Sequence, residues 1–161
     1  MSKYGPEQFS KQFVVSRETL GHLQGFVDLL QHWQTSFNLI GSSTTSEIWR
    51  RHILDSAQVF QYLKKPGRLY DLGSGAGFPG IVLAILGYPE VKLIESNGKK
   101  CTFLREACRS LPLNIGIIQS RIEEFKPPIR ANYITSRALA PLEKLLFYSV
   151  PLLMPDGKCM F

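Results

Sequence analysis

From Ser16 to Gln34 apolar residues return every three or four positions, at Leu20, Leu23, Phe26, Val27, Leu30 and Trp33. That spacing draws one stripe down a helix, and the Ser16 hydroxyl ahead of it suits an N-cap. A Gly-, Ser- and Thr-rich loop is predicted over 38–46. A second helix is then expected from near Thr45 or Ser46, carrying Ile48, Trp49, His52, Ile53, Ser56, Val59, Phe60 and Leu63. Basic residues and breakers in Lys64-Lys65-Pro66-Gly67 end it. After Gly67 the pattern changes. Short apolar runs predict strands at 68–72, 91–95, 114–119, 131–136 and 157–161, with helices between them at about 78–87, 98–111 and 141–153 and a helical turn near Ile122. Short strands alternating with helices imply βαβ units and a parallel sheet. The expected organisation is an N-terminal helical extension over 1–65 and an α/β domain over 66–161.

The most informative stretch is Asp71-Leu72-Gly73-Ser74-Gly75-Ala76-Gly77-Phe78-Pro79-Gly80. A strand runs into a glycine-rich turn that opens a helix, an arrangement that places a ligand at a helix N-terminus. Two patterns overlap in it. Gly75, Gly77 and Gly80 satisfy the dinucleotide fingerprint, which predicts a nicotinamide cofactor and an oxidoreductase. Asp71, Gly73, Gly75 and Gly77 satisfy the acidic-x-Gly-x-Gly-x-Gly form typical of methyltransferases, with Ser74 and Phe78 in the same turn. The second pattern accounts for more residues. A carboxylate suits the cationic end of S-adenosylmethionine, whereas beside a pyrophosphate it would be repulsive. Glu95 ends the second predicted strand, where a carboxylate accepts from ribose hydroxyls; a solvated strand-end acid is the alternative.

Further polar residues fall at strand ends. Arg137 follows the fourth strand and projects at the edge where open α/β sheets bind ligands. Ile122 and Glu123 follow the third, where an acidic first turn of helix would serve equally well. Arg50-Arg51-His52 with Asp55 reads either as an i,i+3 surface pair or as part of a site.

With 161 residues and a 44% hydrophobic fraction, the chain has the makings of an ordinary globular core. No apolar run nears the ~18 residues that a membrane helix needs, and no signal segment opens the chain, so a cytoplasmic protein is expected. Cys101, Cys108 and Cys159 have no metal-ligand or redox spacing and read as core residues of a reduced protein; no metal is expected. The net charge of +6 is spread along the chain and permits a polyanionic partner without demanding one.

Taken together, Trp33 with Phe37-Asn38-Leu39, Arg51-His52-Ile53-Leu54-Asp55-Ser56, Asp71 through Gly80, Ile94-Glu95-Ser96 with Lys99-Lys100, Ser120 through Glu124, and Ser136-Arg137-Ala138 resemble a known family. It is that of the small-subunit ribosomal RNA guanine-N7 methyltransferases, also called glucose-inhibited division protein B. The resemblance implies a Rossmann-like fold with the helical extension, and S-adenosyl-L-methionine as cofactor. It implies methyl transfer to N7 of a guanine in the 530 loop of 16S ribosomal RNA, as RNA or small ribosomal subunit. The cofactor positions it implies are Gly73, Phe78, Ile122, Glu123 and Arg137, and Arg137 is also the expected catalytic residue. Arg50, Arg51, Lys99, Lys100 and Arg121 are the expected RNA contacts. A monomer is expected, with no membrane or DNA partner. Family members continue past the fifth strand, so this sequence is expected to lack C-terminal strands. The remaining alternatives are another methyl acceptor, the nicotinamide oxidoreductase, and an inactive truncated remnant.

Overall fold

A computed structural model of the chain describes residues 4–64, 67–137 and 139–161. Five parallel strands form one sheet in the order β3-β2-β1-β4-β5. They are β1 Arg68–Leu72, β2 Glu90–Glu95, β3 Gly116–Gln119, β4 Ala131–Ser136 and β5 Leu153–Met160. β1 pairs with both β2 and β4, so the strand order reverses at its carboxyl end. In open α/β sheets that reversal opens a crevice for ligands.

Side chains alternate along β1 and divide the core. Leu69 joins one apolar cluster, while Tyr70 and Leu72 join a second on the opposite face with Ile94, Ile134 and Phe125. The first cluster is the larger. It takes Phe9 from α1 (Pro6–Gln12), Leu23, Phe26 and Leu30 from α2 (Arg17–Gln34), Ile81 from α4 (Gly80–Ile85), and Phe103 from α5 (Gly98–Ser110). Phe26 is the hinge of this contact: its ring centroid lies 5.2 Å from Phe78 and 6.3 Å from Phe103. The boundary expected at residue 65 lies outside the described residues. The apolar cluster runs across it without a break.

The predicted elements are present with instructive differences. Ser16 caps α2 as expected, accepting from Thr19 N–H at 3.0 Å. The second N-terminal helix is three pieces: 3₁₀ turns over Ser42–Glu47, a π-helical stretch over Trp49–Leu54, and α3 Asp55–Phe60. Wide π turns are common at functional sites, and this one carries His52. α4 is shorter than 78–87 because Phe78 and Pro79 stay in the turn and Gly87, at φ +94°, terminates the helix. α6 spans Leu142–Ser149, and Pro151 diverts the chain into a 3₁₀ turn at Val150–Leu152. β5 begins at Leu153, four residues early. Its register against β4 shifts between Ala131 and Tyr133, and the irregular segment holds Pro155 and Gly157, which hide the alternation. Cys101 is buried and Cys108 only half-buried.

Candidate functional site

A cleft of about 510 Å³ opens at the carboxyl edge of β1, β2 and β4. Its floor is the glycine turn. Gly73 at φ +65° and Gly75 at φ +55° adopt a backbone that other residues resist, and both line the cleft. Gly80 is needed for a different reason: a Cβ there would strike the Leu93 side chain and meet Asp71 Oδ2 at 2.8 Å.

The turn spends its own amide hydrogens. Gly73 and Ser74 N–H both donate to Ile94 O, at 2.8 and 3.1 Å, and Gly77 N–H donates to Ser74 O at 2.7 Å. Gly75 N–H donates to Glu95 Oε2 at 2.8 Å, and Gly80 N–H to Asp71 Oδ2 at 3.2 Å. A pyrophosphate on such a turn is held by backbone N–H groups directed at it. Here five of those groups already have protein acceptors.

Two acids frame the turn with different roles. Glu95 lines the cleft, and its Oε1 accepts from Asn97 N–H at 2.8 Å while its Oε2 holds Gly75. Each oxygen has one N–H donor and so keeps capacity for a second. Asp71 departs from expectation. It shares its side of β1 with Leu69, is fully buried, and does not line the cleft. Its oxygens bind Thr135 Oγ1 at 2.8 Å and Gly80 N–H. Burial pushes its carboxyl up to about 6, and those hydrogen bonds, with Arg137 farther off, oppose the rise. Asp71 therefore joins β1, β4 and the start of α4 from beneath the cleft and is not part of its lining. Gly77 also lies outside the lining; at φ +89° it packs on Ile81.

Arg137 lines this cleft and a second cavity of about 480 Å³, which Pro79, Ser136 and α3 help to wall. Its guanidinium carbon sits 5.2 Å from the centre of the Phe78 ring. Its Nη1 donates to Arg51 O at 3.1 Å, and its Nη2 meets His52 Nδ1. His52 is thus no partner of a surface pair with Asp55. It is buried in the cleft wall, 4.9 Å from the Phe78 ring, with Nε2 bound to Thr44 Oγ1 at 2.9 Å.

On the far side, Ile122 and Glu123 line the cleft as expected, and Tyr148 O–H donates to Glu123 Oε1 at 2.6 Å. That bond holds the exposed Glu123 carboxyl below its usual range. Ser74 and Phe78 also line it, with Lys100 and Arg121. Lys99 instead lies over the Phe37 ring at 5.4 Å, and Arg50 and Arg51 are exposed on the π-helical stretch. Leu39 of the Phe37-Asn38-Leu39 motif lines the cleft too, as do Ile40, Gly41, Lys144 and Tyr148, which no motif marks as site residues. The Arg-His-x-x-Asp-Ser string was the one signal that pointed to His52.

Comparison with known proteins agrees with this geometry. A family model described as GidB, rRNA small subunit methyltransferase G, matches residues 19–161. The chain is 48% identical over 158 residues to Ribosomal RNA small subunit methyltransferase G of Paramagnetospirillum magneticum, covering 98% of this chain and 77% of that one. It is 49% identical over 153 residues to the protein of the same name from Cereibacter sphaeroides, covering 91% and 73%. Among solved structures, Trm5b from Pyrococcus abyssi aligns with a TM-score of 0.59 at 18% identity, a likeness of fold alone. The alignment covers 66% of this chain and 32% of Trm5b. With a family match across all but the first helix and relatives nearly half identical over most of both chains, the chain belongs to the rRNA small subunit methyltransferase G, or GidB, family.

Proposed function

We propose that this chain transfers the methyl group of S-adenosylmethionine to N7 of a guanine in the 530 loop of 16S rRNA, as RNA or in the small ribosomal subunit. The observation that favours this cofactor over a dinucleotide is the glycine turn whose amide hydrogens are already engaged, with Glu95 in place of an anion site. The cleft has room for a nucleoside with an amino-acid tail. Glu95 accepts the ribose hydroxyls, Gly73 to Gly75 approach the ligand through bare backbone, Ile122 and Glu123 flank the adenine, and Phe78 with Arg137 closes the reacting end.

Bound S-adenosylmethionine supplies an electrophilic methyl on a sulfonium. N7 of guanine carries a lone pair and no proton at neutral pH, so attack on that methyl needs no general base. The site fits this demand. Buried His52 is held by Arg137 and Thr44, and Glu95 by the turn, so neither is free to shuttle a proton. What the chain provides is alignment, which in well-oriented systems is worth up to about 7–11 kcal/mol. Arg50, Arg51, Lys100 and Arg121 face solvent or the cleft mouth and hold RNA phosphates, so binding weakens as salt rises. The helices up to residue 65 form the RNA-facing extension. The protein works as a monomer in the cytoplasm.

Purified protein should bind S-adenosylhomocysteine and not NAD in a calorimetric titration. It should restore 7-methylguanosine to 16S rRNA in cells whose own gene is deleted. NAD binding, or methyl transfer to another acceptor with the 530 loop unmodified, would overturn the reading. Glu95→Gln should weaken S-adenosylhomocysteine about tenfold to fiftyfold in the same titration, because an amide cannot accept from Gly75, Asn97 and a ribose at once.

A further inference from the structure

We propose that His52 is a positioning residue for methyl transfer: its neutral imidazole anchors the Arg137 guanidinium against Phe78 and ties it to the Gly41 wall of the same cleft. The inference rests on the role given above to Arg137.

The hydrogen-bond directions leave one solution. A guanidinium has only donors, so His52 Nδ1 must offer its lone pair to Arg137 Nη2. A neutral imidazole with Nδ1 bare carries its proton on Nε2, which therefore donates to Thr44 Oγ1. The Thr44 hydroxyl in turn donates to Gly41 O at 2.8 Å. The chain of bonds is closed and its polarity is fixed. It runs from Arg137, which touches both cavities, through the buried ring to the loop at Leu39–Gly41 that walls the cleft.

Packing holds the ring in that orientation. Phe78 lies against both the imidazole, at 4.9 Å, and the Arg137 guanidinium, at 5.2 Å. The charged groups around the ring favour the neutral form. Burial lowers the His52 pKa to about 4, and Arg137 and Arg51 add to the fall. Asp55 and Asp71 act on Arg137 and oppose the lowering of its own pKa by burial. A protonated ring would set an N–H against the guanidinium and free Arg137 to swing.

Three variants separate this role from simple packing. In His52→Asn the carboxamide oxygen lies near the Nδ1 position and can still accept from Arg137. In His52→Gln the amide lies near Nε2 and keeps Thr44 but not Arg137. His52→Phe keeps only the ring packing. Measured with tritiated methyl donor on 30S subunits, kcat should fall about 30- to 100-fold in the Gln and Phe variants and by less than about fivefold in the Asn variant. KM for the methyl donor should stay within about fivefold in all three, because the lost contact orients a group after binding. Equal losses in the Asn and Gln variants, or Gln and Phe variants within about twofold of the parent, would overturn the proposal. Imidazole nitrogen resonances of the unaltered protein give a readout free of activity. Expected at pH 7 are a bare Nδ1 and a protonated Nε2, with the bare Nδ1 resonance moving to the position of an acceptor without a hydrogen bond in Arg137→Ala. A proton on Nδ1 would refute the anchor even if no methyl transfer to 30S is seen, and a bare Nδ1 in an inactive protein would sink only the functional reading.

Discussion

Arg137→Ala should reduce methyl transfer to 30S subunits about 100-fold or more, with the unfolding temperature lowered by only a few degrees. The asymmetry follows from what the side chain touches. Its guanidinium covers Phe78, donates to Arg51 O and His52, and stands between the cleft and the second cavity. Little of this is core packing, because Arg137 is half-buried and its neighbours keep their own apolar contacts. Burial lowers its pKa while Asp55 and Asp71 work the other way, and an arginine stays charged under both influences. Arg137→Lys should recover little, since an ammonium presents no planar fork to Phe78, Arg51 O and His52 together. The measurement is single-turnover methyl incorporation at saturating donor. Near-parental rates in a folded Arg137→Ala protein would remove the residue from the mechanism.

Asp71→Ala should cost about 3 kcal/mol of stability, read from urea midpoints, and abolish cofactor binding with it. The carboxylate is fully buried and satisfies Thr135 O–H and Gly80 N–H, so truncation leaves two buried donors without an acceptor. Asp71→Asn is the more informative variant because it isolates charge. Asp71 has a folded pKa of about 6 against an ordinary 3.8, so between those values the native state binds the extra proton and acidification stabilises the fold. His52 does the reverse. Its folded pKa of about 4 lies below the ordinary 6.5, so across that window the unfolded state binds the proton and acidification destabilises. The two slopes oppose each other and are of similar size, so stability of the unaltered protein should change little between pH 6 and pH 4.5 on their account. Asp71→Asn removes one of them. Its urea midpoint should drop more steeply than the parent's as pH is lowered through that range.

The sequence was most legible where backbone chemistry is local. The glycine turn, the Ser16 cap, the strand-end acid Glu95 and Arg137 after β4 all follow from residue type and position, and each stands where it was expected. Asp71 was misread in direction, although the alternation of β1 contains the answer: Leu69 and Asp71 share a face, and that face is covered by α4. His52 was harder. Helical spacing places it one turn from Asp55, whereas it stands on a π-helical stretch that no local pattern announces and meets Arg137 in the cleft wall. β5 was found late because a bulge breaks its alternation. Lys144 and Tyr148 lie on α6, and nothing local tells that this helix returns to the cleft mouth.

The ring of Phe78 touches Phe26 of α2, His52 of the π-helical stretch and Arg137 of the sheet edge, inside an apolar cluster that spans both halves of the chain. In cooperative terms, that shared cluster is expected to make the cofactor turn and the N-terminal helices one unfolding unit. Gly77 and Gly80 are buried beneath the cleft floor, so their amide hydrogens are expected to exchange at rates that follow global unfolding, as are those of α2. Binding competence and global folding are therefore expected to be lost in one transition, seen as coincident urea curves for S-adenosylhomocysteine binding and for the fold.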